Sequence, residues 1–453
     1  MEPPEGKTAG TSSPRSVSTK LERVAKLARE GPRMVFTTLA HLIDMDFLRE
    51  AHRLTRKDGA TGVDGQTAES YEKDLEGNLG SLLERFQSGR YQAPPVRRVW
   101  IPKADGSKTR PIGIPTFEDK ILPRAVCLIL EAVYEQDFLS CSYGFRPGRS
   151  AHQALDYLWR TLMKVNGGVV LELDIQKFFD TLDPGHLREF LDRRVRDGVL
   201  RRTINKWLAA GVLEEGSVRR SEMGSPQGGV VSPILSNIYL HEVLDRWFEE
   251  EVKPRMCGEA TLIRYADDAV LVFEREEDAQ RVMEVLAKRF ARYGLTLHPE
   301  KSRLVHFQRP EGPKGPPRGR APGTFDFLGF THYWGKSRGG TGVVKRKTAR
   351  TRMARALKSV GLWLRQKLHL GVVDQSLALA RKLRGHYGYY GITGNSDALQ
   401  SFRYQVVRLW RKWLGRRSQR AKLNWLTFHQ FLARFPLPSV RIVHSAYRHV
   451  VSP

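Results

Sequence analysis

The sequence is poor in cysteine, in long apolar runs and, after residue 335, in acid. Three cysteines, Cys127, Cys141 and Cys257, lie far apart in 453 residues and form no C-x-x-C pair. That disfavours zinc and a disulfide framework and reads as a cytosolic pattern. No run approaches the roughly 18 apolar residues a spanning helix needs, so no membrane partner is expected. The first twenty residues lack the apolar stretch of a secretory signal, and Glu2 and Glu5 stand where an organellar transit peptide avoids acid. Positions 336–453 carry 25 Lys and Arg against only Asp374 and Asp397, so 23 of the chain's 26 net positive charges lie there. Such a segment repels itself unless it meets a polyanion. With aromatics interleaved among the cations, nucleic acid is the expected partner.

The near-neutral remainder holds the chemistry. Leu262 to Phe273 places Asp267 and Asp268 between two short apolar runs, which reads as a β-hairpin with acid at its turn. One reading is a solvated Asp-Asp turn; the other is a pair of carboxylates neutralised by hard divalent cations. A second apolar strand, Val169 to Leu173, is preceded by Gly167-Gly168 and runs into Asp174. Three carboxylates at strand ends suit phosphoryl transfer with two metal ions about 3.5 to 4 Å apart. Asp183 before Pro184 reads instead as a helix N-cap, and Glu172 shares a strand face with Asp174.

Around these stretches the chain reads as a disordered leader over 1–20, a helical pattern from Leu21, and a hairpin turning at Asp105-Gly106. That hairpin sets Lys103 and Arg110 on neighbouring strands, where they are either solvated charges or a grip on a triphosphate. Ser225 to Pro233 is a Gly- and Pro-rich turn opening a helix, and 310–323 is a surface loop with nine Pro or Gly. In the basic region, helical periodicity predicts core stripes of Met353, Leu357, Val360 and Leu364, and of Leu399, Phe402, Val406, Leu409 and Trp413. Arg403, Arg408, Arg411 and Lys412, with Arg416 and Arg417 beyond them, are the candidate RNA contacts.

The order of these motifs over about residues 55 to 445 resembles reverse transcriptases of the group II intron maturase type. Tyr265-Ala266-Asp267-Asp268 resembles the catalytic motif of that family, and Asp174, within Leu173 to Asp180, its first metal ligand. The resemblance implies an α+β right-hand polymerase, with fingers and palm over 21–335, a helical thumb over 336–390 and a basic RNA-binding maturase domain over 391–453. It implies two Mg²⁺ ions, with Mn²⁺ as substitute, held by Asp174, Asp267, Asp268 and the backbone carbonyl of Ile175. It further implies Phe179 as the steric gate under the sugar, Gln227 beside the incoming nucleotide, Lys301 as proton donor to pyrophosphate and Phe327 to Phe330 as primer grip. Lys103 and Arg110 then match fingers residues, and Leu383 to Gly391 a maturase signature. Implied partners are an intron RNA template, a DNA primer or target and deoxynucleoside triphosphates. With no cysteine pairs and little length after the basic domain, the chain resembles the group lacking an endonuclease domain. The rival readings are a splicing cofactor with an inactive polymerase and a retron- or defence-type reverse transcriptase.

Overall fold

The computed structural model describes residues 14–102, 109–210, 212–214, 217–219, 229–310, 323–337, 339–417 and 423–445. Within these, eleven strands run in chain order as β1 (Val96–Pro102), β2 (Thr109–Ile114), β3 (Val169–Leu173), β4 (Val212–Glu214), β5 (Ser217–Arg219), β6 (Ala260–Tyr265), β7 (Asp268–Phe273), β8 (Arg303–His306), β9 (Phe325–Phe327), β10 (Phe330–Lys336) and β11 (Gly342–Thr348). They form three sheets ordered β2-β1-β4-β5, β6-β7-β3-β8 and β9-β10-β11, among helices that make the architecture α+β. None of the helices among the described residues is long and apolar enough to cross a membrane.

The sheet β6-β7-β3-β8 is antiparallel throughout and positions the site. Its two central strands are apolar on both faces because both are covered. Val169, Leu171 and Leu173 point into the main core with Leu262, Leu271 and Phe273, while Val170, Val270 and Val272 face a second core built on the Ala151–Lys164 helix. Strands buried on both sides read as near-continuous hydrophobic runs, interrupted here by Glu172 in β3.

The helical pattern begins earlier than Leu21. The first helix is Pro14–Glu30, with Val17 buried, so the leader expected over 1–20 is helical from residue 14. Polar composition hid this because only one face of the helix is buried. The region from 336, expected as a helical thumb, begins with strand: the charge boundary falls inside the β10-β11 hairpin, and the first basic helix starts at Arg350. Nor does the chain change core at residue 391. The helices Arg350–Gln366, Val372–Tyr390, Ser396–Leu414 and Trp425–Arg434 share one apolar core around Leu364, Leu383, Trp410 and Phe428. In the Ser396–Leu414 helix the buried stripe is Leu399, Phe402, Val406, Val407 and Trp410; Leu409 and Trp413, expected in it, are half-buried on its flank. Met353 and Leu357 are likewise peripheral to Val360 and Leu364.

Candidate active site

Tyr265 pairs with Asp268, leaving Ala266 and Asp267 as a two-residue turn between β6 and β7. Ala266 lies in the left-handed region at φ 57°, where a residue with a β-carbon persists only if its surroundings hold it. Those surroundings are specific. A β-carbon on Gly144 would sit 2.3 Å from the Ala266 nitrogen, so only glycine allows the 141–144 loop to lie against the turn. That loop is stitched to β6 by Tyr143 N–H donating to Arg264 O and Arg264 N–H to Cys141 O, each at 2.8 Å.

Asp174 emerges from β3 beside this turn. Its backbone is clamped: its carbonyl accepts from His298 N at 2.8 Å and from the Ser302 hydroxyl at 3.1 Å, and its N–H donates to Ser302 Oγ at 3.2 Å. Its carboxylate accepts from Lys301 Nζ at 2.6 Å. Asp268 lies at the exposed open end of β7, yet its carboxyl is hemmed in. Loss of water, then the charges of Asp267 and Asp174, push its pKa up to about 6, against the pull of Arg352 and Lys301. A raised carboxylate beside two others is a site that lacks positive charge. Among the described residues no three His, Cys, Asp or Glu side chains already converge as a full ligand set. Hard carboxylate oxygens at the mouth of a cleft nonetheless suit an oxygen-seeking divalent ion, which completes its shell from water and phosphate.

The cleft holds about 330 Å³ and is walled by Asp174, Asp268 and Lys301 on one side, and by Phe327 to Gly329 and Arg352 on the other. Leu328 (φ 49°) and Gly329 (φ 82°) form a tight turn between β9 and β10, both left-handed, as a hairpin of that length favours. Tyr389 Oη donates to Leu328 O at 2.8 Å, so a helix of the basic region fixes this wall. Glu172 also lines the cleft but is otherwise engaged: it accepts from Arg303 Nε at 2.5 Å and from Asp326 N at 3.0 Å, tying β3 to the same wall. Asp183 is the N-cap expected, accepting from Gly185 N and His186 N.

Other expected site residues are placed unevenly. Ile175 is buried and bridges antiparallel to Leu297. Phe179 is half-buried, edge-on to the buried Phe178 at 5.3 Å. Arg110 lies on β2 opposite Ile101; Lys103 and Gln227 lie outside the described residues. Among the candidate RNA contacts, Arg408, Lys412, Arg416 and Arg417 are exposed, Arg408 over Tyr404 and Arg416 over Trp413. Arg403 and Arg411 are half-buried and otherwise engaged. Arg403 donates to Pro438 O at 3.0 Å and Leu437 O at 3.3 Å, while Arg411 donates to Leu423 O at 3.0 Å and covers Trp425. Their guanidiniums pin the C-terminal segment, which corrects their assignment as outward RNA contacts. Arg352 was missed because it lies far along the chain from the acids. Arg264 was missed although it carried a signal: a charged residue inside an otherwise apolar strand requires a buried partner.

Residues 101–332 match the family described as reverse transcriptase (RNA-dependent DNA polymerase), about half of the chain. The chain belongs to that family, whose members work with divalent metal ions. Among its relatives are proteins named for group II introns and for intron maturation. It is 33% identical over 285 residues to the group II intron-encoded protein LtrA of Lactococcus lactis subsp. cremoris, covering 59% of this chain and 46% of that protein. It is 33% identical over 332 residues to protein YkfC of Escherichia coli K12, covering 64% and 85%. It is 30% identical over 175 residues to nuclear intron maturase 2, mitochondrial, of Arabidopsis thaliana, covering 30% and 24%. The match thus spans a little under half the length of the lactococcal relative.

Proposed function

We propose that this chain is an RNA-directed DNA polymerase that also binds the RNA of a group II intron to assist its splicing and mobility. The observation that carries the reading is that Asp174, Asp268 and Lys301 line one cleft at the end of an antiparallel sheet, with Asp267 in the turn that precedes Asp268. In a right-hand layout that sheet is the palm, the β1-β2 hairpin with its flanking helices the fingers, and the basic helices the thumb and RNA-binding part. The helices up to residue 390 form the thumb and those after it the maturase part, on the shared core.

Two Mg²⁺ ions, when bound by Asp174, Asp267, Asp268 and the Ile175 carbonyl, would lower the charge on the primer 3′ oxygen and on the triphosphate. The chain's own residues do the rest. Backbone clamping of Asp174 and the held turn at Ala266 keep the carboxylates in fixed positions, so little reorganisation is left for the reaction itself. The primer 3′ oxygen then attacks the α-phosphorus in line and pyrophosphate leaves. Lys301, paired with Asp174 in the free protein, releases that carboxylate and gives a proton to the departing oxygen. Phe179 stands under the sugar, and the Phe327 to Phe330 turn holds the primer end. Lys103, Arg110 and Gln227 hold the triphosphate. Primer extension on an RNA template tests the reading: incorporation of deoxynucleotides that requires a divalent ion supports it. Intact RNA binding and splicing assistance without extension would support the cofactor reading instead.

A further inference from the structure

Beneath the Ala266-Asp267 turn lies a buried charged network that the reaction as described does not use. Arg264 and Asp245 are fully buried and paired through two bonds, Nε to Oδ1 at 2.7 Å and Nη2 to Oδ2 at 2.5 Å. The third arm of Arg264, Nη1, donates to Asn237 Oδ1 and to Ala266 O, each at 3.0 Å. Asn237, also fully buried, gives its own Nδ2 hydrogen to Gly144 O at 2.8 Å. One guanidinium thus reaches the carbonyl of the strained turn residue, and through Asn237 it reaches the loop packed on the opposite side of that turn.

The helix beneath is shaped to supply these partners. Asn237 and Asp245 are eight residues apart, a spacing that would carry Asp245 about 80° past Asn237 around an ideal α-helix. Here the Ser232–Leu240 helix opens into π-helical stretches at His241–Asp245 and Trp247–Val252. The wider turn brings both side chains to the same guanidinium, and such widenings occur most often where function requires them. A buried ion pair by itself is a poor source of stability, so retaining this one in a core of aliphatic neighbours calls for a positional reason.

We propose that Arg264, Asn237 and Asp245 form a positioning brace that fixes the Ala266-Asp267 turn, so that Asp267 and Asp268 face the divalent ions without rearranging. The proposal rests on the polymerase reading of those carboxylates. Arg264→Lys keeps the charge but cannot span Asp245, Asn237 and the Ala266 carbonyl together. Asn237→Ala removes one link while leaving the ion pair in place.

The test compares both variants with wild type and with Leu162→Ala, a buried change in the second core far from the brace in sequence. The readouts are kcat and KM for deoxynucleotide, the Mg²⁺ concentration for half-maximal extension, and backbone hydrogen exchange of the metal-free protein. Arg264→Lys should lower kcat at least tenfold and raise the Mg²⁺ requirement at least threefold, with KM within twofold. Asn237→Ala should move the same way by less. Exchange should quicken in peptides covering 262–270 and 141–146, whereas Leu162→Ala, which loosens the second core that packs on β6, should lower thermal stability without lowering kcat or raising the Mg²⁺ requirement. Folded variants with wild-type kcat, Mg²⁺ requirement and local exchange would overturn the brace. Losses matched by Leu162→Ala at equal thermal stability would overturn it too, as a role in stability alone. If Arg264→Lys does not fold, Asn237→Ala decides by the same readouts. Failure of wild type to extend primers would instead count against the polymerase reading.

Discussion

The near-neutral region before residue 336 and the basic region after it are built from similar residues and use charge in opposite ways. Among the described residues every salt bridge joins partners in the first region, from Lys20 with Asp44 to His306 with Glu276. The described residues of the basic region make none. Its cations lie over rings, as Lys382 over Trp363 and Arg416 over Trp413, or bond backbone carbonyls, as Arg403 does. Each region nevertheless crowds one kind of charge in one place: acid at the cleft in the first, where Asp174 and Asp268 share Lys301 and Arg352, and cation over the helical surface in the second. Charge spent on an internal partner holds a fold, whereas charge left over marks where an outside partner of opposite sign binds.

The largest effect should come from removing the leftover acid. Asp174→Ala or Asp267→Ala should lower primer extension by about a thousandfold or more, since a two-metal site loses several kcal/mol of transition-state stabilisation with one ligand. Nucleic-acid affinity should stay within a few-fold of wild type, because the cations of the basic region are untouched. Rapid-quench extension beside a binding titration checks both, and a variant extending near the wild-type rate would move the site elsewhere.

Removing leftover cation should do the reverse and less steeply. Neutralising exposed Arg408, Lys412 and Arg416 together should weaken binding to structured RNA by about tenfold or more, and lower the slope of log K against log salt by about 2 units. Arg403→Ala and Arg411→Ala should leave that slope alone and lower the unfolding midpoint, because those guanidiniums tie the C-terminal segment. An unchanged slope in the triple variant would remove this helix from the RNA interface. The comparison has one seam: Arg352 and Tyr389 of the basic region touch the cleft, so changing either should impair extension and binding together.

Legibility followed the same division. Asp174, Asp267 and Asp268 could be read because apolar runs bracket them, and a strand's pattern is local. The partners of Arg264 could not, since Asn237 and Asp245 lie 27 and 19 residues away and meet it through a helix widening that no periodicity announces. The stripe expected over Ser396–Leu414 shares Leu399, Phe402 and Val406 with the buried face and departs from it at its end, because Leu409, Trp410 and Trp413 are all apolar and only packing chooses among them. Composition set the charge boundary at 335, but the chain folds across it in one hairpin.

A smaller effect should follow from Phe179→Val. Phe179 is half-buried beside the wholly buried Phe178, so trimming it should cost about 1 to 2 kcal/mol of stability. It should also reduce discrimination against ribonucleotides by about tenfold. If stability falls with discrimination intact, Phe179 belongs to the core with its neighbour.

The smallest effect sharpens the idea of leftover acid without any nucleic acid present. The Asp268 carboxyl has its pKa raised to about 6 in the folded chain, from an ordinary 3.8, by loss of water and by Asp267 and Asp174. A raised carboxylate binds its proton more tightly folded than unfolded. Its contribution therefore favours folding below pH 4, is lost as pH rises from about 4 to 6, and stays absent above. Asp268→Asn removes that dependence. In chelator, the variant should gain stability relative to wild type between pH 4.5 and pH 7.5, by on the order of 1 kcal/mol once solvent screening at this exposed position is allowed for. Millimolar Mg²⁺ at pH 7.5 should narrow the gap, because wild type alone keeps all three carboxylates to bind it. Urea midpoints at the two pH values, with and without the ion, measure both parts. A gap independent of pH would mean that Asp268 is already neutralised by Arg352 and Lys301, and that the cleft has no acid left over to meet a cation.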